Sequence, residues 1–90
     1  MISAHIIVDG IVQGVGFRWF AQSLAIRYDL KGTVRNRLRG DVEIVLEGEK
    51  GAIEDFILDL RKGPRFGRVD AVDVEWREYS GKYRGFSIVH

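Results

Sequence analysis

Nine residues, Gly10-Ile11-Val12-Gln13-Gly14-Val15-Gly16-Phe17-Arg18, constrain this chain more than any other stretch. An apolar run precedes them and a helical repeat begins as they end, so they join a strand to a helix. Three glycines fall within the first seven of these positions. At such a junction the opening N–H groups of the helix lack intrahelical acceptors, and the helix dipole makes that end electropositive. Glycine lets the backbone approach a ligand closely. The stretch therefore suits a small anion, most naturally phosphate. It equally suits a tight connection whose glycines serve only the turn. The stretch alone does not separate the two.

The remaining chain supplies the frame. Residues 3–12 read as a strand, with Ala4, Ile6 and Val8 on one face and Ser3, His5 and Asp9 on the other. Gly10 inside this run predicts a bulge. Phe17, Phe20, Ala21, Leu24, Ala25 and Tyr28 recur at helical spacing and predict about three turns, with Gly32 as the stop. Thr33–Arg37 reads as a second strand, with Val34 and Asn36 sharing one face. A hairpin at residues 38–41 leads into Asp41–Glu47, where Val42, Ile44 and Leu46 alternate with Asp41, Glu43 and Glu47. Ile53, Phe56, Ile57 and Leu60 mark a second helix, ended by Arg61-Lys62-Gly63-Pro64. Val69–Arg77 is a fourth strand and Gly85–Val89 a short fifth.

The order βαββαβ with a short extra C-terminal strand predicts an α+β protein of ferredoxin-like architecture. Its antiparallel sheet would carry two helices on one face. Ninety residues support one such two-layer core, burying roughly 60–65% of the unfolded surface. Residues 1–90 are therefore expected to form a single domain. Right-handed crossovers make the first two strands parallel, ending at the sheet edge where the first helix opens. Arg18 and Asn36 then become neighbours although 18 positions separate them.

Composition narrows the chemistry. There is no cysteine, which excludes disulfides, thiolate metal sites and cysteine nucleophiles. His5 and His90 have no partner ligands at metal spacing, so no metal or other cofactor is expected. Fourteen basic and 13 acidic residues give a net charge of +1, with no general drive toward nucleic acid or an anionic membrane. Arg35, Arg37 and Arg39 form a basic stripe that reads as a solvated strand face more readily than as a steering surface. No apolar run approaches the roughly 20 residues of a transmembrane helix. Met1-Ile2-Ser3-Ala4-His5 lacks the basic start of a signal peptide. A cytoplasmic monomer is the expectation. RNA-recognition domains share this element order, and Arg84-Gly85-Phe86-Ser87-Ile88-Val89 partly resembles their aromatic strand motif. That motif belongs on the third strand, which here is acidic and without aromatics for base stacking.

Gly10 to Arg18 matches the strand–loop–helix motif G-x-V-Q-G-V-x-F-R at every specified position, and the chain resembles the acylphosphatases. A second match is Gly32-Thr33-Val34-Arg35-Asn36 with Gly40, Val42 and Gly48. Thr33 departs from the pattern, standing where the family usually has an aromatic residue. Gly63-Pro64 and the ending Gly85-Phe86-Ser87-Ile88-Val89 are also similar, so the resemblance covers essentially the whole chain. It implies hydrolysis of acyl phosphates, R–CO–O–PO₃²⁻, to carboxylate and phosphate, without a metal or a covalent phosphoenzyme. By motif position it implies a phosphate cradle of Gln13, Gly14, Val15, Gly16, Phe17 and Arg18, using backbone N–H groups and the Arg18 guanidinium. It implies that Asn36 positions the attacking water. The implied partner is a small acyl phosphate. The residue chemistry agrees. A guanidinium grips two phosphate oxygens at once. An asparagine amide both donates and accepts, so it holds a water without deprotonating it. A phosphate-binding domain without catalysis is one competing reading. A stand-alone domain that handles carbamoyl phosphate or regulates a partner is another.

Overall fold

The computed structural model describes residues 1–90. Its elements are β1 (Ile2–Ile11), α1 (Phe17–Arg27), β2 (Lys31–Asn36), β3 (Val42–Gly48), α2 (Lys50–Lys62), β4 (Arg68–Arg77) and β5 (Phe86–Ile88). The strands form one sheet in the order β4-β1-β3-β2-β5. β1 is antiparallel to β3 and β4, and β2 is antiparallel to β3. This is the ferredoxin-like arrangement. β5 adds a parallel pair, with Gly32 opposite Phe86 and Val34 opposite Ile88, so the sheet is mixed. The parallel pair arises because the chain crosses from β4 at one edge of the sheet to β2 near the other.

Strand alternation decides which face is covered. Ala4, Ile6, Val8, Val34, Val42, Ile44 and Leu46 are buried beneath the helices. The helices contribute Phe17, Ala21, Leu24 and Ala25 from α1 and Ile53, Phe56, Ile57 and Leu60 from α2. One row crosses the whole sheet, from Val74 through Ile6, Ile44 and Val34 to Ile88. Burying each Val, Leu, Ile or Phe side chain among these contributes roughly 1.5–3 kcal/mol. Neither helix is long and apolar enough to cross a membrane.

The opposite face is polar, and Glu47 and Gly32 depart from the sequence reading. Glu43 sits 2.7 Å from His5 Nε2 and also accepts from the Arg35 guanidinium. Those contacts hold its carboxyl below the ordinary range, against the effect of burial. Alternation puts Glu47 on this face in water, yet it is only 4% exposed. The connection from β4 to β5 covers it: Ser80 donates its N–H at 2.9 Å and its hydroxyl at 2.8 Å, and Gly81 donates its N–H at 3.0 Å. The second departure is Gly32, which does not stop α1. The helix gives way at Tyr28 and Asp29, the latter at φ 55°. Gly32 lies within β2, where a Cβ would sit 1.7 Å from the Val45 carbonyl oxygen. Close strand contact, not a turn, requires glycine there. The bulge at Gly10 is present as a register shift against β4 between Asp9 and Gly10.

Candidate active site

β1 and β2 end at the same edge of the sheet, where Ile11 pairs with Arg68 and Asn36 with Val42. Strand order lines up the connections along that edge. The turn before β4 comes first, then the loop of residues 12–16, then the β2–β3 hairpin, then the residues after β5. Arg18, in the first turn of α1, and Asn36, the last residue of β2, therefore lie at the same edge.

The loop is shaped by its glycines. Gly14 and Gly16 both adopt the left-handed conformation, at φ 75° and 77°, with Val15 between them. Backbone turns of this kind gather successive N–H groups into an anion-binding concavity. None of the N–H groups from Gln13 to Gly16 donates to a backbone carbonyl. The first helical bond runs from Phe20 N–H to the Gly16 carbonyl at 3.0 Å. α1 has no side-chain N-cap and no acidic residue in its first turn, so nothing of its own offsets the positive helix end. A Cβ on Gly14 or Gly16 would meet no atom within 4 Å, so the loop opens outward. Phe17 turns inward, 1% exposed, and packs on Phe20 at 5.7 Å between ring centroids. Only its backbone N–H is left for the loop.

Gln13 does not point its side chain at the concavity. Its Nε2 donates to the Arg37 carbonyl at 2.8 Å and to the Asp41 carbonyl at 2.9 Å. Both amide hydrogens are thereby used, and what remains for an anion is the backbone N–H. The hairpin that receives these bonds is itself braced. Arg37 donates twice to the Asp41 carboxylate, at 2.7 and 2.8 Å. Those bonds hold the Asp41 carboxyl below the ordinary range, although its burial pushes the other way. Asp41 is thus drawn out of the solvent that strand alternation assigns to it, and is 5% exposed.

Asn36 lies opposite Val42, on the helix-side face it shares with Val34. Its Oδ1 is buried and has no hydrogen-bond partner. Leaving a buried acceptor unpaired costs about 1–3 kcal/mol. An open cavity of about 670 Å³ lies here, lined by Gln13, Arg35, Asn36, Arg37, Leu38, Arg39 and His90, with no Asp or Glu side chain among them. Arg35 and Arg37 are paired with Glu43 and Asp41, which leaves Arg39 as the cation of this stripe outside any ion pair. Thr33 faces the other side of the sheet between Val45 and Ser87, away from the cavity. Trp19, 71% exposed, stands beside Arg18 in the first turn of α1. No three His, Asp or Glu side chains converge as a metal site requires.

His90 is the residue that the sequence reading left without a role. Its Nδ1 lies 3.4 Å from Arg18 Nη1, so it joins Arg18 to the cavity beside Asn36. Val89 N–H donates to the Val34 carbonyl at 2.9 Å, which carries the pairing of β5 one residue beyond its end and delivers His90 to α1. No local pattern signals a contact between residues 72 positions apart.

The family model for Acylphosphatase matches residues 4–88. The acylphosphatase of Roseiflexus sp. is 44% identical over 89 residues, covering 99% of this chain and 96% of that one. The acylphosphatase of Thermus thermophilus is 48% identical over 82 residues, covering 91% and 92%. The crystal structure of acylphosphatase from Bacillus subtilis superposes with a TM-score of 0.97 at 41% identity, over 100% of both chains. These matches take in the loop, the helix it opens and the strand that ends in Asn36, and the chain belongs to the acylphosphatase family, enzymes that hydrolyse acyl phosphates.

Proposed function

We propose that the chain cleaves the carboxyl–phosphate bond by direct attack of a water held by Asn36. The phosphate is held by Arg18 and by the N–H groups of Gln13, Gly14, Val15, Gly16 and Phe17. One observation carries this reading: the buried, unpaired Oδ1 of Asn36 beside a cavity whose lining residue His90 lies 3.4 Å from the Arg18 guanidinium. The amide oxygen accepts a hydrogen from the water and leaves a lone pair of the water free to face phosphorus. The Arg18 fork takes two phosphate oxygens, and the loop N–H groups take the remainder. Positioning and charge stabilisation are most of what phosphoryl transfer needs.

The water oxygen bonds to phosphorus as the bond from phosphorus to the acyl oxygen breaks. The electron pair of that bond leaves on the acyl oxygen, giving a carboxylate. A phosphate oxygen takes the proton that the water loses: R–CO–O–PO₃²⁻ + H₂O → R–COO⁻ + H₂PO₄⁻. A carboxylate leaves readily, so no side chain is assigned as a general acid. No step is assigned to a metal or to a phosphorylated residue. On the same reading the protein works in the cytoplasm as a monomer on a small molecule, without a nucleic-acid or membrane partner. Elution from a sizing column at its mass of 10.3 kDa checks the monomer.

Hydrolysis of benzoyl phosphate with a metal chelator present tests the mechanism. Arg18→Ala and Asn36→Ala are each expected to lose on the order of 10²-fold in kcat/KM. Full activity in both variants removes the assignment, and a requirement for added metal contradicts the mechanism.

A further inference from the structure

We propose that the acyl half of the substrate lies over the turn containing Arg65 and Phe66, and that this turn favours aromatic or other extended apolar acyl groups. This placement rests on the reading of Asn36 as the residue that holds the attacking water. In an in-line displacement the attacking and leaving oxygens stand on opposite sides of phosphorus. Strand order says what those sides are. Asn36 ends β2, on one flank of the phosphate loop. β4 lies on the other flank, beside β1, and its first residue Arg68 pairs with Ile11. The turn before β4 therefore borders the loop on the side away from Asn36.

The contact between turn and loop is direct. A Cβ on Gly67 would sit 2.7 Å from the Ile11 carbonyl oxygen and 3.0 Å from Cγ2 of Val15. Gly67 N–H closes the turn on the Pro64 carbonyl at 3.3 Å. β4 and β2 stand three strand spacings apart, about 14 Å, which leaves room for a phosphate and a ring between the two flanks.

This turn presents a ring and a cation to solvent. Phe66 is 76% exposed and takes no part in the hydrophobic core. The Arg65 guanidinium lies over its ring, 5.4 Å from the centroid. No carboxylate pairs with Arg65. An aromatic acyl body can pack on the Phe66 ring while its leaving carboxylate faces the guanidinium. An acetyl group is too small to gain from the ring.

The test compares benzoyl phosphate with acetyl phosphate in the wild type, Phe66→Ala and Phe66→Tyr. Comparing the ratio of their kcat/KM values between variants cancels the difference in intrinsic reactivity. Phe66→Ala is expected to lower the benzoyl-to-acetyl ratio roughly fivefold, the size of one aromatic pair. Phe66→Tyr, which keeps the ring, is expected to restore it. An unchanged ratio in Phe66→Ala, or a ratio that Phe66→Tyr fails to restore, overturns the proposal. The underlying hydrolytic reading is tested separately, since Arg18→Ala and Asn36→Ala lower both substrates together and leave the ratio alone.

Discussion

The side chain of Gln13 is bonded to the main chain of Arg37. Its Nε2 donates to the Arg37 carbonyl at 2.8 Å, and its second hydrogen goes to the Asp41 carbonyl at 2.9 Å. The loop of residues 12–16 and the hairpin beyond Asn36 are thereby fastened into one piece.

Both carbonyls also have backbone donors. Gly40 N–H reaches the Arg37 carbonyl at 3.0 Å, and Arg37 N–H reaches the Asp41 carbonyl at 2.9 Å. Removing Gln13 therefore orphans neither. Gln13→Ala is expected to cost only about 1 kcal/mol of stability. It also frees the loop to drift relative to Asn36, and kcat is expected to fall on the order of tenfold. Urea melts and benzoyl phosphate kinetics measure the two effects separately.

Arg18→Lys keeps the charge and removes the planar fork. If two phosphate oxygens are gripped at once, the lysine variant is expected to fall at least about tenfold short of wild type in kcat/KM. Inhibition by sulfate, which carries the same charge at all working pH values, should weaken in parallel. Wild-type kinetics in Arg18→Lys would show that charge alone suffices.

Two glycines should respond differently to alanine. Gly16 has φ 77° and open space before it, so Gly16→Ala is expected to cost about 1–2 kcal/mol of backbone strain and to weaken sulfate binding. Gly32 faces the Val45 carbonyl oxygen, with a built Cβ only 1.7 Å away. Gly32→Ala must push β2 off β3, and is expected to cost about 3 kcal/mol or more. Thermal melts rank the two, and sulfate titration of folded Gly16→Ala separates binding from stability.

Glu47 gives the fold a dependence on acid. Burial pushes its carboxyl up, but the bonds from Ser80 and Gly81 outweigh that and leave it below the ordinary range. The unfolded chain therefore takes up this proton first as pH falls. The stabilisation is fully present above the unfolded value of about 4.3 and is lost as pH drops through the lower folded value. Glu47→Gln is expected to melt below wild type at neutral pH, with the gap narrowing below about pH 4. A gap that stays constant from neutral pH to about pH 3 would reject the assignment.

Sequence alone determined what depends on neighbours along the chain. Ala4, Ile6 and Val8, like Val42, Ile44 and Leu46, fall on the covered face because strand alternation reports burial directly. Gly14 and Gly16 were legible for a similar reason, since a left-handed turn is a demand of the local backbone. Only the tertiary structure decided the partners. Gln13 finds carbonyls 24 and 28 positions further on, and Ser80 covers Glu47 across 33 positions. His90 reaches Arg18 because β5 adds itself to β2. Such contacts leave no period in the sequence, because they depend on the order in which strands lie side by side. Alternation states which face a residue takes; the packed sheet states what lies over that face.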